Sequence, residues 1–460
     1  MIKKMKNKNL FNIDVDLING PILKSLLIFS IPLLISSVFQ QLYSFFDTMI
    51  VGNYLGDSKL AAVGASTPIF ELLIGFAIGI GNGLSIVAAR SFGSKDKELL
   101  KKSVATSIVI GLVSSVIISI LGLLTIKPIL TVLNTPDHIL NDSYRYIYWI
   151  ALFTPVMFLY NLCAGLLRAI GNSFMPLVFL IISSLLNIVL DIFLISNLNM
   201  GIEGAAIATV IAQGVSVVLS IIYILKNEEI LRPQKAHFTP DNQLYKDMLS
   251  QGLSMGFMSS IVSIGSVILQ YGINGLGYLT VAGHISARKV YTLFNIPFLS
   301  MALSISTFVP QNIGAKKYKR IRDGLKIAFI YDLIMSAIVS ILLLLFSRDL
   351  IRIISGSDNP IILDNGSLYL KIVGPFYAVL GILLQTRFAL QGLGKKILPL
   401  ISSVIELIGK ILFVQIFIPK HGYLAVIFCE PVIWVVMTIQ LLYSFYTNEY
   451  IRESRSEKVR

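Results

Sequence analysis

Apolar stretches long enough to cross a lipid bilayer recur from residue 24 to residue 446, with short polar breaks between them. A hydrocarbon core about 30 Å thick demands about 20 consecutive apolar residues of a helix. Twelve such stretches can be read: 24–53, 60–86, 103–126, 143–168, 174–197, 203–226, 248–273, 279–306, 325–347, 366–390, 398–418 and 423–446. Several exceed the minimum, which implies tilt. The chain is 55% hydrophobic and only 14% charged over 460 residues. A soluble domain is about 25% charged, and a soluble chain of this length would divide into several domains with polar surfaces. The expected fold class is an all-α polytopic membrane protein with twelve transmembrane helices.

A net charge of +13 would suit a nucleic-acid binder, but the placement of the charges argues against one. Basic residues crowd the N-terminal segment (Lys3, Lys4, Lys6, Lys8), the 90–102 segment (Arg90, Lys95, Lys97, Lys101, Lys102), the 226–246 segment, the 316–326 segment and the C-terminus. These are alternate breaks, and the intervening ones are poor in Lys and Arg. That is the positive-inside pattern. With an even span count it places both termini in the cytoplasm and the chain in the plasma (inner) membrane. Asp14 and Asp16 follow the N-terminal lysines and no cleavage pattern ends the first apolar run, so residues 1–23 read as an uncleaved cytoplasmic tail. Cys163 and Cys429 each fall inside an apolar span. They have neither metal spacing nor the look of a disulfide framework.

The chain is also written twice. NYLGDSKLAAVG near residue 53 answers NGLGYLTVAGHI near residue 274, with Gly56 on Gly277 at an offset of 221. The same offset sets SFGSKDK on NIGAKKY and Gly201 on Gly422, while LRAIGNSFMP falls on LQGLGKKILP at 223, Gly171 on Gly394. Each unit holds six spans, so both copies enter the membrane in the same sense. Parallel repeats of this kind are related by an axis along the membrane normal. The expected organisation is a six-helix N-lobe (24–226), a cytoplasmic linker (227–247), a six-helix C-lobe (248–446) related to the first by a pseudo-twofold, and a cytoplasmic tail (447–460).

Two acids, Asp47 and Asp191, lie inside the N-lobe's apolar spans. A carboxylate at bilayer depth costs about 2.5–3.5 kcal/mol on insertion scales, and such groups mark sites. Asp47 precedes the outer Gly56 turn, and Asp191 precedes Met200, by the same number of residues; at about 1.5 Å per residue both lie about 13 Å inside. Thr209 re-enters to a similar depth after Gly201, and Asn187 lies one turn from Asp191 on the same face. Two carboxylates, an amide oxygen and a hydroxyl can surround a hard cation, and paired acids can share a proton. Pro32 removes a backbone hydrogen bond from the first helix and should kink it.

These residues bring a family into view. QQLYSFFDTMIVGNYLG and LAAVG (40–64), LLRAIGNSFMP (166–176), SSLLNIVLDIFLI (183–195) and GIEGAAIATVIAQ (201–213), with Pro32, resemble the multidrug and toxic compound extrusion transporters over nearly the whole chain. The resemblance implies secondary active efflux of amphipathic, often cationic small molecules in exchange for Na+ or H+. It implies a cation site at Asp47, Asn187, Asp191, the Ala205 carbonyl and Thr209, and a first helix that bends at Pro32 with ion occupancy. One branch of the family relies instead on acids of the seventh and tenth helices. This chain has Gln270 near the end of its seventh span and no acid in 366–390.

Other classes fit less well. A lipid-linked oligosaccharide flippase of the same broad superfamily would line its cavity with several cations. Here they are few, Lys410 being the clear one, with Arg288, Lys289 and Arg387 near expected helix ends. The four histidines are scattered without metal spacing and no Ser/His/Asp set is recognisable, so no enzyme and no cofactor beyond the coupling ion is expected. The expected partners are drug-like small molecules and the bilayer, with the chain a monomer. Gln40, Tyr43, Asn161, Met255, Met258, Tyr291, Phe294 and Phe298 are candidate cavity liners, since aromatic and Met side chains pack adaptably on planar cations. In the C-lobe the repeat sets Lys410 against Asn187 and Glu430 against Thr209, with Glu406 one turn from Lys410; aligning Ser183 and Ser184 with Ser402 and Ser403 instead sets Glu406 against Asn187 and Lys410 against Asp191. An ion pair of Lys410 with Glu406, Glu430 or both is expected, because an unpaired buried charge is costly.

Overall fold

The protein is described by a computed structural model, which covers residues 14–456; the lysines at 3, 4, 6 and 8 and the last four residues lie outside the described residues. All regular structure among the described residues is helical. The order is α1 (Ile22–Leu55), α2 (Asp57–Gly93), α3 (Lys97–Val132), α4 (Asp137–Leu152), α5 (Thr154–Ala169), α6 (Phe174–Ile192), α7 (Ile202–Asn227), α8 (Asn242–Asn274), α9 (Tyr278–Gly314), α10 (Tyr318–Ser355), α11 (Pro360–Val373), α12 (Tyr377–Gly392), α13 (Ile397–Leu412), α14 (Ile418–His421), α15 (Tyr423–Tyr446) and α16 (Glu449–Ser456). Among the described residues eleven helical stretches are long and apolar enough to cross a membrane, and twelve if the bent pair α4–α5 counts as one span.

The α4–α5 bend of 50° has a local cause. Pro155 stands at the start of α5, where it has no N–H to give and its ring crowds the Ala151 carbonyl. Hydroxyls take up the slack: Ser119 Oγ and Thr154 Oγ1 donate to the Ala151 carbonyl at 2.7 and 2.9 Å. Such substitution is how a membrane helix tolerates a break. Pro32, by contrast, sits inside an α1 that remains helical throughout, and Ser36 Oγ donates to the Pro32 carbonyl at 2.8 Å.

Several helices outrun the expected spans. α2, α9 and α10 hold 37, 37 and 38 residues, about 55 Å each, well beyond the hydrocarbon thickness. The start of α10, with Lys319, Arg320, Arg322 and Lys326, is built of good helix formers that add length without adding hydropathy. α3 starts at a true cap, where Asp96 Oδ1 accepts the Leu99 N–H at 2.9 Å.

The internal repeat reappears in the backbone. Left-handed φ angles occur at Gly56 and Gly277 (82° and 90°), Gly171 and Gly394 (101° and 76°), Gly201 and Gly422 (64° and 57°), and Lys95 and Lys316 (62° and 57°). These are the anchors of the 221–223 offset. Glycine recurs because an L side chain disfavours that region. A π turn also closes α6 (Phe193–Asn197) and α13 (Phe413–Phe417).

Contacts divide the chain within α8, into Met1–Gly256 and Phe257–Arg460. In the first unit, α2 meets the start of α8 backbone to backbone. A Cβ on Gly79 would lie 2.6 Å from the Met255 carbonyl, and one on Gly83 2.7 Å from that of Gln251. Segment 227–247 is folded onto this unit. Leu231 joins its core, and buried His237 accepts the Gln234 N–H through Nδ1 at 2.8 Å and meets Glu98 through Nε2 at 2.9 Å.

Candidate cation and substrate site

A cavity of about 510 Å³ opens in the N-terminal unit between α1, α2, α4, α5, α6 and α7. Tyr43 and Asp47 enter from α1, Asn187 from α6 and Thr209 from α7. Helical periodicity puts Tyr43 and Asp47 on one face of α1, and Asn187 and Asp191 on one face of α6. Asp191 is fully buried behind the wall, two residues before the π turn that widens the end of α6. Such turns are frequent at functional sites.

The carboxyl groups of Asp47 and Asp191 face each other at hydrogen-bonding reach. The Tyr43 hydroxyl meets Thr209 Oγ1 at 3.0 Å, and Asn187 Nδ2 donates to the same oxygen at 3.4 Å. Around this chain, five buried acceptor oxygens have no donor: Asp47 Oδ1, both oxygens of Asp191, Asn187 Oδ1 and Gln213 Oε1. Buried acceptors are ordinarily satisfied. A cluster left open, acceptor-rich and centred on two acids is the chemistry of a cation or proton site.

Of the residues expected here, Asp47, Asn187 and Thr209 line the cavity with Gln40, Tyr43 and Asn161, and Asp191 backs it. Ala205 lies one turn before Thr209 in the adjoining apolar core. Residues not marked by sequence also appear. Gln213 follows Thr209 by one turn on α7, and Tyr146, Phe70, Tyr160 and Glu71 complete the wall. Helical spacing from Thr209 could have found Gln213; nothing local marks Tyr146, which comes into electrostatic range of Asp47 and Asp191 only in the fold.

A model of the MatE family matches residues 32–193 and, a second time, residues 255–416. The chain belongs to the MatE family of multidrug and toxic compound extrusion transporters. The second MatE match starts and ends 223 residues after the first (32 to 255, 193 to 416), the offset read from the sequence itself. Among relatives, the probable multidrug resistance protein YoeA of Bacillus subtilis (strain 168) is 27% identical over 433 residues, 92% of this chain and 93% of that protein. The multidrug export protein MepA of Staphylococcus saprophyticus subsp. saprophyticus is 24% identical over 421 residues, 89% of this chain and 90% of that protein. A solved structure described as the outward-facing conformation of a multidrug resistance MATE family transporter of the MOP superfamily matches with a TM-score of 0.87 at 24% identity, over 94% of this chain and 96% of that one. At that identity the likeness bears on the fold alone.

In the C-terminal unit of this MatE chain, Lys410 meets Glu406, Nζ to Oε1 at 2.9 Å. Glu430 pairs with a different cation. It accepts Arg288 Nη1 at 2.6 Å and the Tyr369 hydroxyl at 3.2 Å. Arg387 donates through Nε to Ser402 Oγ at 3.1 Å and reaches Glu406 at 3.8 Å. Tyr291, Tyr377 and Phe298 form an aromatic stack, with Trp434 against Tyr291 and the Arg288 guanidinium 4.4 Å from the Tyr291 ring centre. Phe298 and Met255 are fully packed, and Met258 Sδ accepts from Gln391 at 3.2 Å; Phe294 is half-buried on α9. Cys163 and Cys429 are buried thiols.

Proposed function

We propose that this MatE chain is a secondary active exporter. It moves amphipathic or cationic small molecules outward in exchange for Na+ or H+ bound by Asp47, Asn187, Asp191 and Thr209, with Gln213 and the Ala205 carbonyl beside them. It works as a monomer in the cell membrane with both termini cytoplasmic. The observation that carries this reading is the pair of facing buried carboxyls, three of whose own oxygens have no donor, with the donor-less oxygens of Asn187 and Gln213 beside them. Two ionised acids at close range in an apolar interior are unstable without a positive partner, so the site calls for a cation or a shared proton. Asp47 also opens to a cavity whose wall carries Tyr43, Phe70, Tyr146 and Tyr160. Aromatic faces attract a cationic drug, and the same carboxylate would supply its counter-charge. Drug and coupling ion then weaken each other's binding by the same factor, which is the thermodynamic basis of exchange. The names of the relatives point the same way.

The test is transport in proteoliposomes at zero membrane potential, with a fluorescent cationic drug and an imposed Na+ or H+ gradient. The wild-type chain is expected to drive the drug against its gradient with one of the two ions, and Asp47→Asn and Asp191→Asn are each expected to abolish this. Full ion-coupled export by both variants would rule the reading out. Lipid scrambling or drug-independent conductance would point to a flippase or a channel.

A further inference from the structure

A second acid centre lies in the C-terminal unit. Asp332 sits on α10, about 21 Å along that helix, and none of its surface is exposed. Its partner is an amide on α12: Gln385 Nε2 donates to Asp332 Oδ1 at 3.2 Å and lies 3.4 Å from the Phe298 carbonyl. Two atoms of the pair remain open, Asp332 Oδ2 and Gln385 Oε1, and both are buried acceptors with no donor. Nothing larger can reach them from α12, because a Cβ on Gly381 would lie 2.7 Å from the Asp332 side chain.

Among the described residues no cation forms an ion pair with Asp332. Arg288 is held by Glu430, Lys410 by Glu406, Arg387 by Ser402 and Glu406, Arg348 by Asp364 and Arg352 by Asp358. Gln385 hydrogen-bonds Asp332 across the interface, the Tyr331 phenol lies next to it in sequence on α10, and neither carries a positive charge. An ionised carboxylate here would be buried, uncompensated and half-satisfied, the costliest arrangement a membrane interior offers. One proton removes every part of that cost. Placed on Oδ2 and directed at Gln385 Oε1, it closes a cyclic acid–amide pair in which both open acceptors are satisfied together. A metal ion fits poorly, since hard cations gather many oxygens and only two are open.

We propose that Asp332 and Gln385 form a proton-binding site in the C-terminal unit, independent of the Asp47–Asp191 site and occupied in this conformation. The inference stands on the α10–α12 interface alone and survives if the reading of the N-terminal site fails. It is tested by infrared spectroscopy of the full-length protein in lipid nanodiscs at neutral pH, in an Asp47→Asn/Asp191→Asn background that silences the N-terminal carboxyls. The expected result is a carbonyl band of a neutral carboxylic acid that is indifferent to Na+ and is lost on adding Asp332→Asn. That substitution keeps an amide pair with Gln385 and so preserves the interface. Gln385→Leu reads the same site independently, moving the band toward that of an acid with no hydrogen bond to its carbonyl. The proposal is overturned if Asp332→Asn leaves the band intact and removes ionised carboxylate signal instead, if Na+ abolishes the band, or if Gln385→Leu leaves it unmoved.

Discussion

Asp47 and Asp191 face each other from unlike settings: Asp47 borders the cavity, while Asp191 is sealed behind it. In the proposed mechanism Asp47 therefore meets a drug as well as an ion, and Asp191 only the ion. Asp191→Asn should abolish coupling yet leave drug affinity within a few-fold in equilibrium binding, whereas Asp47→Asn should weaken both; equal loss of drug affinity in the two variants would contradict this division. Gln213→Leu removes one donor-less oxygen from the site. It should weaken binding of the coupling ion roughly tenfold, about 1.4 kcal/mol for a hydrogen-bonding group near charge, as read by ion titration of transport. Counting residues inward from Gly56, Met200 and Gly201 sufficed to bring Asp47, Asp191 and Thr209 to one depth in the sequence, with Asn187 one turn deeper on the face of Asp191. Asp332 was not legible in that way. It is a single acid in an apolar run, and its meaning comes from Gln385, 53 residues later, which no local pattern connects to it.

At the scale of elements, the charges of α13 belong to one short circuit. Lys410 and Glu406 are one helical turn apart, and Arg387 joins from α12. Removing one member of a buried pair strands the other, at about 3–5 kcal/mol. Lys410→Met should lower the thermal midpoint of the purified protein markedly, and Lys410→Met with Glu406→Gln should recover most of it; a double variant no more stable than the single would deny the pairing. The repeat placed Lys410 near an acid but left two registers open. The helices explain why: α6 holds 19 residues and α13 holds 16 between matching starts and matching π turns. Counted from the start, Lys410 answers Asn187; counted back from the π turn, it falls within a residue of Asp191. Glycine matters in the same concrete way at Gly171, where φ is 101° and a Cβ would lie 2.7 Å from the Val15 carbonyl. The Val15 N–H donates to the Gly171 carbonyl at 3.0 Å. Gly171→Ala should release residues 14–20 from this contact and speed their amide exchange.

At the scale of the molecule, the sequence carried the architecture because a bilayer permits little else. Long apolar runs must be helices, and an even repeat must insert twice in one sense. What hydropathy could not show is helix length beyond the hydrocarbon, or that the fourth span is two helices meeting at 50°, since polar ends and proline breaks leave mean hydropathy unchanged. The orientation of the repeats is open to labelling. With native Cys163 and Cys429 buried, Lys97→Cys and Lys319→Cys should both react with an impermeant maleimide from the cytoplasmic side, and Asp137→Cys from the outside. Opposite access for Lys97→Cys and Lys319→Cys would mean that the halves insert in opposite senses. The account as a whole stands on exchange at the Asp47–Asp191 pair, and the most direct measurement is of the ion itself. Purified protein equilibrated with radioactive Na+, or weakly buffered for proton release, is titrated with a cationic drug. The wild-type chain should give up its bound Na+ or its proton as the drug saturates, and Asp47→Asn/Asp191→Asn should release neither; release from that variant equal to the wild type would place the coupling ion elsewhere.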